Sequence, residues 1–162
     1  MKKYLFTIMT ISLLLSSCNQ APTGEYIEWW GDNETANELS INGMYHYLNF
    51  EQEMAYTYFK ASLDYDPTLF ASHVMLAWMT PSGEEDDKHV LKANELVKGK
   101  NENSQLFVEM LDVPQGEGRR ANLHEYWSKM HKIEPDGNFI HYYYALTKPT
   151  DEERIAELET IV

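Results

Sequence analysis

Residues 55–77 read AYTYFKASLDYDPTLFASHVMLA, and residues 123–145 read LHEYWSKMHKIEPDGNFIHYYYA. Laid over one another, they agree where a helix pair is shaped. Ala55 meets Leu123, Tyr58 meets Tyr126, Phe59 meets Trp127 and Asp66 meets Glu134. Pro67 meets Pro135, His73 meets His141 and Ala77 meets Ala145. Every pair is 68 residues apart, so the two stretches share one register. Each begins with apolar residues at helical spacing, breaks at a proline that cannot continue a helix, and resumes the helical spacing. The unit is helix, turn, helix.

Outward from these copies, the same spacing predicts helices over 34–48, 52–65, 69–80, 85–98, 104–113, 122–133, 138–146 and 151–161. The connections carry the punctuation expected of turns: Asp66-Pro67, Pro81-Ser82-Gly83, Gly99, Pro114 through Gly118, Pro135-Asp136-Gly137 and Pro149. No run sustains a period of two, so the expectation is an all-α fold without strands.

A separation of 68 is two units of 34, and the Ala-x3-Phe pair with its later Pro resembles the tetratricopeptide repeat, whose period is about 34 residues. Gly43, twelve residues before Ala55, stands where that pattern wants a small residue so that two helices can touch. The resemblance covers 34–162 and implies a right-handed solenoid of antiparallel helix pairs, about 3.5 repeats long. Its units would be 36–69, 70–103, 104–137 and a partial 138–162. Departures are visible: Leu39 replaces the pattern's Trp, Asn42 its Leu and Ser62 its Ala. Unit two has Asn101-Glu102 in place of its terminal Pro, and unit three has a long Pro/Gly-rich turn. Stacked pairs bury the stripe that one pair cannot bury alone, which predicts a core of Gly43, Ala55, Phe59, Leu63, Leu76, Ala77, Leu91, Phe107, Met110, Leu111, Leu123, Trp127, Met130, Tyr144 and Ala145. The last pair runs to Ile161-Val162 with no polar capping helix. The expectation is either a longer native protein or an end covered by a partner.

The opening residues are of another kind. Lys2 and Lys3 precede an uncharged, mostly apolar run from Tyr4 to Leu15, then Ser16, Ser17 and the chain's one cysteine, Cys18. A basic start, a short apolar run and small residues mark a secretory signal, and the run is too short to span a bilayer. Leu15-Ser16-Ser17-Cys18 resembles the lipobox of bacterial lipoproteins. That resemblance implies cleavage after residue 17, lipid on the Cys18 thiol, and attachment to the cell envelope. One acyl chain binds a membrane marginally, whereas two or more anchor it stably. Asn19, where some bacteria use Asp to retain a lipoprotein at the inner membrane, slightly favours the outer membrane. Residues 18–33 read as a lipidated tether. Within it Trp29 and Trp30 are read either as a cover for the end of the helical domain or as a contact with membrane or partner.

Losing Lys2 and Lys3 takes the net charge from −13 to −15. Such an acidic chain lacks the clustered Lys and Arg of a nucleic-acid binder, and anionic headgroups repel it. Aromatics at 13% argue for a packed domain, since a disordered acidic chain is aromatic-poor. No Gly-x-Ser-x-Gly, free cysteine or phosphate loop is present, so neither catalysis nor a cofactor is expected. His73 and His141 share a repeat slot and are read as packing residues, with the ring donating to a carbonyl. His124 and His131 lie on one helix without a Glu-x-x-His or His-x-x-x-His partner, so no metal is expected. Glu84 to Asp87 suit the first turn of a helix behind a Ser82 cap.

In tetratricopeptide proteins the first helices of successive units line a concave groove. By register, that implies a partner-binding stripe of Met44, Tyr47, Leu48, Val74, Trp78, Val108, Phe139 and Tyr142. The same stripe could belong to the core of a tightly coiled domain. The leading expectation is a membrane-anchored, non-catalytic protein-interaction module. The alternatives are a binder of a small molecule or peptide fragment, and the front part of a protein whose active domain lies beyond Val162.

Overall fold

The structure, a computed structural model, describes residues 26–80 and 83–161. The signal segment, Cys18 and Ser82 lie outside the described residues. Among the described residues the fold is all-helical. Its helices are α1 (Glu34–Leu48), α2 (Gln52–Tyr65), α3 (Phe70–Met79), α4 (Glu84–Leu96), α5 (Glu102–Glu109), α6 (Arg119–Ile133), α7 (Asn138–Thr147) and α8 (Asp151–Leu158). A single 3-10 turn, Met110–Asp112, extends α5. Most boundaries fall within two or three residues of those read from periodicity.

The starts are set by local chemistry. Asn33 caps α1 by accepting from the Ala36 amide, and Asn101 caps α5 by accepting from Ser104. Thr150 and Glu153 form a reciprocal capping box on α8. At α4 the N-cap position is Gly83, with no side-chain cap bond. The acids Glu84, Glu85, Asp86 and Asp87 fill the first turn, where the helix dipole favours negative charge.

Consecutive helices pair in an antiparallel chain. α1 lies along α2, α3 along α4, and α6 along α7, while the α5–α6 contact is slight because the segment 113–118 separates them. The pairing of α1 and α2 turns on Gly43. A Cβ there would come within 2.9–3.0 Å of Phe59 Cδ1, Cε1 and Cγ, so only the bare backbone lets the ring lie flat on α1. Where α1, α2 and α3 meet, Ser62 Oγ donates to the Phe59 carbonyl (2.7 Å) and lies 2.9 Å from Ser72 Oγ, which in turn reaches Ser40 Oγ at 3.2 Å. The three hydroxyls are buried and satisfied, which is why a serine serves at position 62.

The core runs from Ala55 and Phe59 through α3 to Phe107, Trp127 and Met130. α3 is buried from Phe70 through Ala77, on every face, as a helix apolar all round must be. The predicted core positions are buried or half-buried with one exception. Leu91 is 70% exposed. α4 buries the stripe His89, Ala93 and Val97, and Leu91 sits about 200° round the helix from His89.

The segment read as a tether is part of the domain from residue 26. Ile27 is buried, the Glu28 amide donates to Ser104 Oγ (2.9 Å), and the Glu28 carboxylate accepts from the Asn101 amide (2.8 Å) and Lys100 Nζ (3.2 Å). These donors hold the Glu28 carboxyl below its usual range, the Asn101 amide first. Trp29 inserts between Phe107 and Phe139, at 5.1–5.2 Å between ring centres. Trp29 is therefore a cover for the helical domain, while Trp30 stays exposed.

Candidate functional site

The helices bring aromatic residues to one place. Trp78 on α3 meets Phe107 on α5 edge-on (4.9 Å) and Trp127 on α6 (6.5 Å); Trp127 stacks on Tyr143 of α7 at 5.0 Å, and Phe139 closes the cluster. Edge-on and offset pairs of this kind favour one another beyond the area they bury. Beside the cluster lies a cavity of about 1030 Å³, walled by Tyr47, Trp78, Trp127 and Tyr143 and roofed by the 111–116 segment. Arg119 and Arg120, two of the chain's three arginines, stand in its wall, with Asp86 and Asp112.

The arginines are positioned from behind. Arg119 Nη1 donates to the Val113 carbonyl, and Arg120 Nη2 to the Pro149 carbonyl (3.3 Å). A guanidinium has five N–H donors, so each retains donors for an acceptor in the cavity. Burial, and then the Tyr47 hydroxyl, push the Tyr143 phenol far above its ordinary range, so it stays a neutral hydrogen-bonding group. Trp78 Nε1 is buried with no hydrogen-bond partner. A buried N–H left unpaired costs stability, about 1–3 kcal/mol, and is a donor ready for a ligand's oxygen.

The eight residues of the expected groove divide. Tyr47 and Trp78 line the cavity. Val74 and Val108 are fully buried, because α3 is enclosed on all sides and α5 faces the aromatic cluster, so neither offers groove surface. Met44 and Phe139 are half-buried and pack against the core, and Tyr142, half-buried, meets Tyr143 edge-on. Leu48 is exposed, near Tyr45, Phe50 and Met54 at the α1–α2 turn; Phe50 there has φ 63°, unusual for a residue with a side chain.

Register alone did not single out the arginine pair. The signal was present, since Arg119-Arg120 is the one adjacent basic pair after Lys2-Lys3 in an acidic chain.

The repeat-related histidines differ. His73 Nε2 donates to the Pro67 carbonyl (3.2 Å), which makes its Nδ1 an acceptor for His89 Nδ1–H at 2.8 Å. Burial first, and the neighbouring His89 ring next, hold His73 down at about 4. His141 instead meets the Glu157 carboxylate on α8 (2.9 Å). His124 stacks on Tyr144 and bonds Thr147 Oγ1 (3.0 Å).

No family model, curated protein or solved structure matches this chain.

Proposed function

We propose that the chain is a membrane-anchored, tetratricopeptide-like interaction module, exported, held by lipid on Cys18, and without catalysis of its own. Its cavity takes an apolar or aromatic segment of a partner protein that carries a carboxylate. The observation that carries this reading is the cavity itself, in which aromatic faces stand beside two arginines with unused donors. Aromatic walls supply contact area and guanidinium groups orient a carboxylate through paired hydrogen bonds. The shared slots support the repeat reading: Phe59 and Trp127 are both buried, as are Ala77 and Ala145.

A small molecule held between the aromatic rings is the second reading. It is favoured by the cavity's size, which lies at the upper end of about 300–1,000 Å³ for small-ligand pockets. One experiment separates the two. Tryptophan fluorescence is followed while the protein is titrated with a peptide set varied in aromatic and carboxylate content, and then with a panel of sugars. Saturable binding of carboxylate peptides, weakened in Trp78→Phe and Arg120→Ala, supports the module. Saturable binding of sugars alone supports the small-molecule reading, and no response to either refutes the cavity as the site.

A further inference from the structure

A second constellation lies apart from the cavity, where α6 and α8 end and α7 begins. His131 of α6, His141 of α7 and Glu157 of α8 place their ligand-type atoms within 4.8 Å of one another, all three residues half-buried. His141 Nε2 and Glu157 Oε1 are 2.9 Å apart. That is a hydrogen-bond distance; neighbouring ligands of a tetrahedral ion with bonds of about 2.0–2.2 Å stand roughly 3.3–3.6 Å apart, so the pair has to open by about half an ångström to admit one. The His131 ring lies over His141 (4.6 Å between centres), with Tyr144 on its other side at 4.5 Å. Its Nδ1 is buried and has no hydrogen-bond partner. Two imidazoles and one carboxylate, with a water in the remaining position, form a donor set that suits zinc.

We infer that His131, His141 and Glu157 form a zinc site. Zinc takes the place of the hydrogen between His141 Nε2 and Glu157 Oε1, the imidazole binds in the tautomer that carries its hydrogen on Nδ1, and His131 closes the third bond by turning about its side chain. Lys148 Nζ holds the other oxygen of Glu157 at 3.0 Å, which steadies the carboxylate and also competes with the ion for its charge. The consequence is mechanical. α8 has no buried residue and leans mainly on α7, so an ion bound through Glu157 clips this last helix to α6 and α7. The three ligands come from separate helices, so no short sequence motif announces the site.

The test is calorimetric titration of the full-length chain, held in detergent, with zinc chloride. The expected result is one saturable equivalent. At a hundredfold excess over Kd, zinc should raise the Tm by about 5–10 °C. His131→Ala, His141→Ala and Glu157→Gln should each weaken binding at least about tenfold. His46→Ala and Cys18→Ser, which remove the His46–Glu51 imidazole–carboxylate pair and the thiol, should leave it unchanged. Lys148→Met should tighten it. Cobalt provides a second reading on the intact protein, through the visible absorption of a four-coordinate ion. No saturable equivalent up to about 1 mM zinc, or binding that survives the three ligand variants, overturns the site. So does loss of binding in His46→Ala or Cys18→Ser. If a ligand variant fails to fold by circular dichroism, Lys148→Met and cobalt decide: no tightening and no cobalt spectrum overturn it equally.

Discussion

Gly43→Ala isolates the contact on which the first helix pair rests. In the middle of an exposed helix, alanine stabilises relative to glycine by about 0.8–1 kcal/mol. Here the new methyl would stand 2.9–3.0 Å from three atoms of the Phe59 ring, against about 3.5–4.0 Å for carbon atoms in comfortable contact. The ring must therefore retreat by roughly 0.5–1 Å. Phe59 is fully buried and close to the Ser62–Ser72 junction, so its retreat displaces packed neighbours. Overpacking of this kind costs about 1–3 kcal/mol. The net expectation is a loss of up to about 2 kcal/mol once the helix-propensity gain is subtracted. Urea unfolding of parent and variant measures it, provided the slope with denaturant is unchanged. Phe59→Leu in the same background should convert Gly43→Ala from destabilising to neutral or better, since the clash is with the ring. A Gly43→Ala variant more stable than the parent by the full helix-propensity gain refutes the close approach of α1 and α2.

Phe59→Ala and Trp127→Ala, which empty equivalent buried slots, should each lower stability by about 3–5 kcal/mol in the same assay. Trp78→Phe should cost clearly less, because it keeps the edge contact with Phe107 and removes the unpaired N–H. The folded protein resists protonation of His73, held near 4, whereas the unfolded chain takes the proton near 6.5. Stability should thus be full above pH 6.5 and fall as the pH drops toward 4, by on the order of 2 kcal/mol after allowance for solvent screening. His73→Gln should flatten that limb of the pH profile, and an unchanged limb would refute its assignment to His73. Cys18→Ser should leave the protein uncleaved or soluble instead of membrane-bound. Detergent-sensitive membrane fractionation of that variant would refute lipid anchoring.

The helices were legible because their punctuation is local: prolines, glycines and caps act within a few residues of themselves. Gly43 and Phe59 were legible for a related reason, since a repeat register fixes which residues face each other inside one pair. The groove was less so. Register says which face of α3 points inward relative to α4, but not that α2, α4, α5 and the 3-10 turn together enclose it, and so Val74 was expected on a surface. Leu91 fails for a similar reason, because α4 meets the rest of the molecule along one stripe and Leu91 lies off it. The docking of Glu28 and Trp29 depends on partners more than seventy residues away, which no local pattern encodes.

That docking has a bearing on how the domain would sit on a membrane. Seven residues separate Cys18 from Tyr26, and the eight steps between them span at most about 26–29 Å. The bonds from Glu28 to Asn101, Lys100 and Ser104 fix the domain end of this span beside the start of α5. A lipid on Cys18 would therefore hold the start of α5 within that distance of the bilayer. Opposing that closeness would be the acidity of the chain, net −13 as it stands and −15 without Lys2 and Lys3, which anionic headgroups repel over about a Debye length, roughly 8 Å in physiological salt. On the proposed anchoring, the balance would be a domain held short by its covalent tether and kept off the surface by charge. Raising the salt concentration should then let it settle closer without changing the amount bound, since in that proposal the lipid rather than the charge supplies the attachment.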